Sequence, residues 1–513
     1  MAVIISIGLV LLSLCLVAWL LGWHRPSLSH LPHKKGLPII GNFHQINLRR
    51  PELTFTHWGK ELGSVFSVKI LNNTFVVLNS FDAIREALIT KGSDFAGRPH
   101  VNSYRLEFAT MGFRDISLLN PGVCWKLLRK ISLSQIKMFD TGMKRIEELS
   151  SSMNKDMVNM FRSLEGRSFN PKVSIYNTVM NVLTMLLMNR KFEKTDKEFK
   201  LITEMERLLM SSIAPSGEGV ELDILPWLRY FGNSTFKKLK LQAQHRDELW
   251  SMIKPRILED IRSDDKGSDG LMHVLFRLYH SQQEGTITNT YLLEEVDLIM
   301  TFVDVIIAGT GTTFNSFCGF LNILSQHEDI QEKLQEEVDR VIGSNRTVSL
   351  NDRANMPYTQ ATVLELLRSI SVAALGLPHA TLKKTSISGI PIPAGVQILM
   401  NLWGLHHDEG FWGDPHSFRP ERFLDEAGDV VSASHENRRH LMPFGAGTRV
   451  CIGERLAMGR LFMMIATMAQ VFIVEQGHLK SSWDPRTYQS GIVLHPLDYE
   501  IQLKSRNDHL YTE

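Results

Sequence analysis

Cysteine is scarce in this chain of 513 residues: there are four, Cys15, Cys124, Cys318 and Cys451, and no two form a C-x-x-C pair. That spacing argues against a disulfide framework and against structural zinc, and it fits a reducing compartment. An excess of either charge is also missing. Lys and Arg number 56 against 55 Asp and Glu, so the balance gives no hint of nucleic acid. Nothing repeats at a fixed period, which argues against a solenoid or a propeller. From residue 42 onward no Gly/Ser-rich or low-complexity break divides the chain. Residues 1–23 lack charge altogether and are dominated by Ile, Leu, Val and Ala. A helix of about 20 such residues crosses a bilayer core of roughly 30 Å. A cleavable signal needs a basic start and a small-residue cleavage site, whereas here Trp19 and Trp23 stand where that site belongs. The expectation is an uncleaved anchor. Arg25, Lys34, Lys35, Arg49 and Arg50 follow it, which puts the bulk of the chain on the cytosolic side.

What the chain does have is one dense motif. Residues 444–453 read F-x-x-G-x-R-x-C-x-G, with Phe444, Gly447, Arg449, Cys451 and Gly453 at the fixed positions. The turn sets Cys451 at the start of a helix, where the helix dipole and backbone N–H groups keep a thiolate ionised as a metal ligand. Gly447 permits a tight bend, and Gly453 lets the backbone lie against a flat partner. Arg449 supplies a fixed cation for an anionic group on that partner, and Phe444 can keep water off the sulfur. A flat, anionic partner with an open axial position is haem, and cysteine is the ligand that pushes electron density toward O–O cleavage. A buried structural cysteine in a Gly-rich turn is the plainer alternative. At every fixed position the run resembles the haem-binding signature of the cytochrome P-450 superfamily.

The resemblance extends from about residue 31 to about residue 503. It implies a mainly α fold with small β-sheets, a single haem domain behind an N-terminal transmembrane anchor. The divisions are then the anchor (1–23), a basic, Pro-containing hinge that is stiff and extended (24–42), the haem-thiolate catalytic domain (43–505) and a polar tail (506–513). Local patterning agrees. Alternating runs at 65–68 and 75–78 predict strands, and helical periodicity dominates from about residue 120, with breaks near Pro215, Gly267 and Gly285. Residues 292–325 form the longest apolar stretch. Asp304, with glycines and hydroxyl residues in its middle, predicts a buried helix beside a site rather than a membrane span.

Glu365 and Arg368 stand three apart on one helix face, where they can pair. With Arg422 of residues 418–423 they resemble the family's E-x-x-R and P-E-R-F elements, which implies a buried ion triad that fixes the fold. Trp125 and Arg129 are one helical turn apart, so both donors can meet one haem propionate. The resemblance adds Arg98 and His379 as propionate donors, making five with Arg449. Residues 308–313 follow the family pattern [A/G]-G-x-[D/E]-T-[T/S], in which small residues keep the helix clear of the haem. Thr312 is then the residue that holds a water for proton delivery, with Asp304 two turns earlier. Gly311 departs from the pattern, since it replaces the acid, and this puts the coupling of oxygen activation in question.

A closer resemblance is to the animal microsomal branch containing steroid 17α-hydroxylase/17,20-lyase and the aryl-hydrocarbon hydroxylases, carried by residues 94–99, 223–228 and 401–407. Residues 202–213 contain no asparagine, which the steroid enzymes present there to a sterol ketone, so the substrate stays open between steroid-like and aromatic. The resemblance implies a haem-thiolate monooxygenase of the endoplasmic reticulum membrane, carrying haem b on Cys451 and hydroxylating a lipophilic small molecule. Oxygen would come from O2 and electrons from NADPH through a separate cytochrome P-450 reductase, with cytochrome b5 as a further donor. Lys126, Lys130 and Lys137 are either a docking face for an acidic reductase or an ordinary solvated face. Expected substrate contacts fall in residues 100–119, 201–213, 307–312, 372–377 and 491–493. Leu222, Ile224, Leu225, Trp227, Leu228, Tyr230 and Phe231 offer an apolar surface for the membrane interface. Two other functions remain: a haem-thiolate isomerase or dehydratase that needs no reductase, and a non-catalytic haem-binding membrane protein.

Overall fold

The computed structural model describes residues 6–10, 12–13, 28–38, 40–71, 73–100, 103–137, 141–213, 219–263, 270–286, 291–489, 491–507 and 509–511. Most of the expected anchor, and the breaks at Pro215 and Gly267, lie outside these residues. Within the anchor, residues 6–10 and 12–13 are helical.

Two alternating runs form a hairpin of β1 (Val65–Ile70) and β2 (Asn73–Leu78), with Val65 opposite Leu78. The other strands are β3 (His379–Ala380), β4 (Thr385–Ile387), β5 (Ile390–Ile392), β6 (Gln397–Met400), β7 (Phe472–Gln476) and β8 (Ile501–Ser505). β6 lies parallel to β2 and antiparallel to β3, which gives one sheet of order β1-β2-β6-β3. β4–β5 and β7–β8 are separate antiparallel pairs. β3 is short, but a bridge from Ala380 to Gly97 ties the segment carrying Arg98 to it.

The rest is mainly helical. The helices that position the site are α1 (Val123–Lys137), α2 (Lys172–Met188), α3 (Lys197–Ile213), α4 (Ser234–Arg262), α5 (Glu295–Leu324), α6 (Pro357–Ile370) and α7 (Glu454–Val471). α5 begins where the backbone N–H of Glu294 donates to Asp297 at 3.0 Å, satisfying an orphan donor of the first turn. Arg114 holds Asp297 from the other side at 2.8 Å. Among the described helices α5 alone is long and apolar enough to cross a membrane. It is instead a core helix, with Phe317, Phe320 and Leu321 fully buried against α6 and α7 residues such as Leu366 and Ile465. Gly309 lets α5 pack on α2, since a Cβ there would lie 2.8 Å from Leu183 Cδ1. This glycine therefore serves helix packing, not clearance over a haem face.

Two termini of the expected domain are tied down. Residues 28–38 begin with a turn, where Leu31 N–H donates to Leu28 O at 3.0 Å, and then lie on the first sheet: Ser67 N–H donates to Pro32 O at 2.8 Å and His33 bridges to Ser67. At the other end Leu510 and Tyr511 are buried, and Tyr511 Oη accepts from Val348 N–H at 3.3 Å. Leu222 differs from its expected place. It is buried in the core, while Trp227, Tyr230 and Phe231 of the 3-10 turn Pro226–Phe231 are exposed by 47%, 73% and 76%.

Candidate active site

The cysteine turn is shaped by backbone sterics. Gly445 and Gly447 both have φ of +67°, a conformation that costs a side chain energy. At Gly447 space forbids one as well: a Cβ would lie 1.8 Å from Leu88 O. The turn closes when Cys451 N–H donates to Phe444 O at 3.0 Å. Gly453 N–H then donates to Cys451 Sγ at 3.3 Å, and α7 begins at the next residue. Cys451 exposes its side chain, whereas Cys124 and Cys318 are buried. The surrounding protein pushes the Cys451 thiol up, while the Gly453 N–H and the charge of Arg129 oppose that shift. A Cβ on Gly453 would meet nothing in the protein but Cys451 Sγ, at 3.8 Å. Ile452 packs on the core that holds Trp125 and Ile307, which joins this turn to α1 and α5.

Around the turn the structure gathers the expected cations. Arg449 donates from Nε to Ala96 O at 2.8 Å and from Nη2 to Leu119 O at 2.7 Å. Its Nη1 is buried without a hydrogen-bond partner. Arg98 donates to Ser117 O, Leu377 O and Pro378 O at 2.8–3.0 Å. Arg129 donates to Val450 O at 2.6 Å. Among the described residues none of the three has a carboxylate within ion-pair distance. Burial, and then the charge of Arg449, push Arg98 down to about 9. Burial, followed by Arg129, pushes Arg449 down to about 10. Three guanidiniums, Arg98 buried and Arg129 and Arg449 half-buried, repel one another and leave one buried donor of Arg449 unpaired, and so call for an anion. His379 Nδ1–H donates to Phe95 O at 2.7 Å. Burial and the neighbouring Arg98 push its pKa down to about 3, so the imidazole is neutral.

Trp125 differs from its expected role. Its indole N–H donates to Ile116 O at 3.1 Å, so this donor is already used. The ring instead lies between Arg449, at 4.4 Å, and Arg129, at 5.4 Å, and holds both by cation–π attraction.

On α5 Ala308 is exposed in the middle of an otherwise buried helix. One turn on, Thr312 Oγ1 donates to Ala308 O at 2.8 Å. That bond takes the hydroxyl's own proton, and the oxygen lone pairs are left to accept from water. Asp304 is engaged elsewhere. Both of its oxygens accept from Ser117, one from the backbone N–H at 3.0 Å and one from the hydroxyl. Burial and the adjacent Asp115 hold the Asp304 carboxyl well above the usual range. Its geometry is that of a clasp between α5 and the segment before α1, not of a group turned toward Thr312.

Behind the site Glu365 and Arg368 are both fully buried and joined by two bonds of 2.7 Å. Arg422 completes the triad less tightly, with Nε 3.5 Å from Glu365 and no hydrogen bond at that atom. Arg422 spends its other donors on Trp412 O and Asp414 O.

Several working residues were not singled out from the sequence. Ser117 clasps Asp304, Asn120 Oδ1 accepts from Arg98 N–H at 2.7 Å, and Glu206 of α3 approaches Gly311. No local pattern marks any of them. Lys126 and Lys130 are exposed on α1, and the side chain of Lys137 lies outside the described residues.

The donor set fits haem: an exposed cysteine sulfur, a cluster of guanidiniums with one buried donor left for a carboxylate, and the exposed, small Ala308 on α5. The model of the cytochrome P450 family matches residues 31–503. Steroid 17-alpha-hydroxylase/17,20 lyase of Squalus acanthias is 33% identical to this chain over 91% of it and 90% of that relative. Cytochrome P450 2U1 is 31% identical in Bos taurus, over 97% of this chain and 93% of the relative, and 31% in Homo sapiens, over 96% and 93%. The chain therefore belongs to the cytochrome P450 family and is a monooxygenase whose cofactor is haem b on a cysteine thiolate.

Proposed function

We propose that this monooxygenase hydroxylates a lipophilic ring compound, steroid-like or aromatic, at the cytosolic face of the endoplasmic reticulum. Electrons come from NADPH through a separate reductase, with cytochrome b5 as a second donor. Residues 1–23 are the single-pass anchor, and the exposed Trp227, Tyr230 and Phe231 rest in the interface. The observation that carries the site assignment is the cluster of three guanidiniums without a carboxylate partner, one of its donors buried and unpaired, together with Cys451, the one exposed cysteine among the described residues. Cys451 is the iron ligand. Arg98, Arg129, Arg449 and His379 seat the propionates, and Trp125 holds the arginines in place. When bound, haem supplies the activation of O2. The protein's part is to orient the substrate, exclude water and move protons to the oxygen site.

The ring-compound reading is supported by Ile307, which shares a core with Ile452 of the cysteine turn, and by the printed activity of the steroid 17-alpha-hydroxylase relatives. The test is a binding-spectrum screen of steroids against planar aromatics on purified protein, followed by turnover with reductase. Product should require both NADPH and O2; product formed without reductase would point to isomerase chemistry instead.

Proton delivery is assigned to water accepted by the Thr312 hydroxyl. Thr312→Ala should cut product formation about a hundredfold, at the lower end of general acid–base effects, and divert NADPH electrons to hydrogen peroxide. An unchanged yield of product per NADPH would remove Thr312 from this role.

Topology has its own check. Asn72, Asn233 and Asn345 begin N-x-[S/T] sequons. Asn345 is exposed in the fold, so it would accept a glycan if it met the machinery. With the domain in the cytosol, all three should stay unmodified in animal cells, as mass spectrometry of tryptic peptides can show.

A further inference from the structure

Gly311 stands where the family pattern has an acid, yet its place is not empty. A Cβ built on Gly311 would lie 2.9 Å from Oε1 of Glu206. Glu206 belongs to α3, a different helix, and its side chain is 9% exposed. Tyr176 of α2 donates to its Oε2 at 2.5 Å. The phenol is itself fixed by edge-on contacts with Phe199, at 6.1 Å, and Phe314, at 5.5 Å. One carboxylate oxygen is thus clamped, and the other is aimed at the backbone turn that carries Thr312. Among the described residues Oε1 has no hydrogen-bond partner. In the same turn of α5, Asn315 Nδ2 donates to Gly311 O at 2.8 Å and Ser316 Oγ donates to Thr312 O at 2.9 Å. Side-chain bonds of this kind compete with the helical ladder.

A carboxyl in such a position is costly. An apolar residue of similar size would avoid the desolvation penalty, so packing alone does not account for Glu206. We propose that Glu206 is the carboxyl of the proton path that ends at Thr312, a role moved from the helix of Thr312 to its neighbour, with Gly311 as the vacancy that admits it. This rests on the monooxygenase reading and on Thr312 as the relay. Burial pushes the Glu206 carboxyl up to about 7, so near neutral pH it can both give and take a proton. In each turnover two electrons from NADPH and two protons enter with O2. One oxygen atom goes into a substrate C–H bond, and the other leaves with both protons as water. When delivery fails, the same electrons and protons leave as hydrogen peroxide.

The residue is a relay acting through Thr312, and the test must separate that from a structural part. Glu206→Gln keeps the shape and the Tyr176 contact but cannot shuttle a proton. In the holoenzyme it should lower product formation about a hundredfold, raise the peroxide share, and remove one of the infrared bands of protonated carboxyls. Gly311→Glu alone should fit poorly, because Glu206 fills the space. Gly311→Glu combined with Glu206→Gly should restore product yield and the carboxyl band together. Peroxide unchanged in Glu206→Gln, while Thr312→Ala responds, overturns the assignment of Glu206 but leaves the monooxygenase reading intact. No response in Thr312→Ala would overturn the relay as a whole. Should Glu206→Gln fail to bind haem, the paired exchange decides: restored yield upholds the proposal, and a folded pair without it overturns it.

Discussion

Cys451→Ala should give a folded protein whose reduced, carbon monoxide-bound form has lost its thiolate-type spectrum completely. Only a sulfur anion supplies the electron donation that defines that spectrum, and Cys451 is the one described cysteine that opens its side chain. Cys451→Ser should fail in the same way, because a hydroxyl does not ionise near neutral pH as a thiol can. Monooxygenase turnover should fall below detection in both. The loss should be chemical rather than structural. The turn is held by backbone bonds, Cys451 N–H to Phe444 O and Val450 N–H to Gly447 O, which no substitution at Cys451 except proline removes. Cys124→Ala and Cys318→Ala should keep the spectrum, since both thiols are buried and burial pushes each up, Cys124 to about 11. A thiolate-type spectrum persisting in Cys451→Ala would overturn the assignment of the ligand.

Glu365→Ala should destabilise the protein by about 3–5 kcal/mol, the cost of leaving a buried ion without its partner. That is a large part of a total stability of about 5–15 kcal/mol, so little haem-loaded protein should accumulate. Two guanidiniums lose their anion at once, because Arg368 is fully buried and the Arg422 side chain is 6% exposed. Arg419 N–H also loses its acceptor, at 2.9 Å. Arg422→Lys should be milder than Arg368→Lys. Arg368 makes a two-pronged contact that lysine cannot copy, whereas Arg422 sits at 3.5 Å and leans on main-chain carbonyls. Denaturant unfolding of the three variants tests the order. Glu365→Ala within about 1 kcal/mol of the parent would mean that the triad is not what holds this region together.

Features written in neighbouring residues were legible before the fold was known. The alternation in β1 and β2, the apolar length of α5 and the glycine at 447 are local facts, and local sterics turn each into one shape. The triad was legible through resemblance, because its members come in fixed order. Residues whose partner comes from a distant segment were misjudged. Trp125 was expected to offer its N–H to a propionate, but Ile116 O reaches it first. Asp304 was expected near the oxygen site, but Ser117 takes both oxygens. Leu222 was placed on the surface because its neighbours are apolar, and the fold buries it while exposing Tyr230. Gly311 was read as a plain loss. Only packing of α3 beside α5 shows that a carboxyl stands there, and no periodicity in either helix encodes that meeting.

The fit of Gly447 against Leu88 O bears on how this molecule is made. Gly447 rests on Leu88, Arg449 on Ala96 and Leu119, and Val450 on Arg129. Every one of these partners leaves the ribosome far ahead of the cysteine turn. The entropy of closing so long a loop grows only slowly with its length, but contacts between distant segments form late. For most of its synthesis the nascent chain carries the two carbonyls and the guanidinium that will grip the turn and has no turn for them to hold. The turn that carries Cys451 meets its partners only when nearly all of the chain has been made, so the cofactor joins a chain that is already largely built.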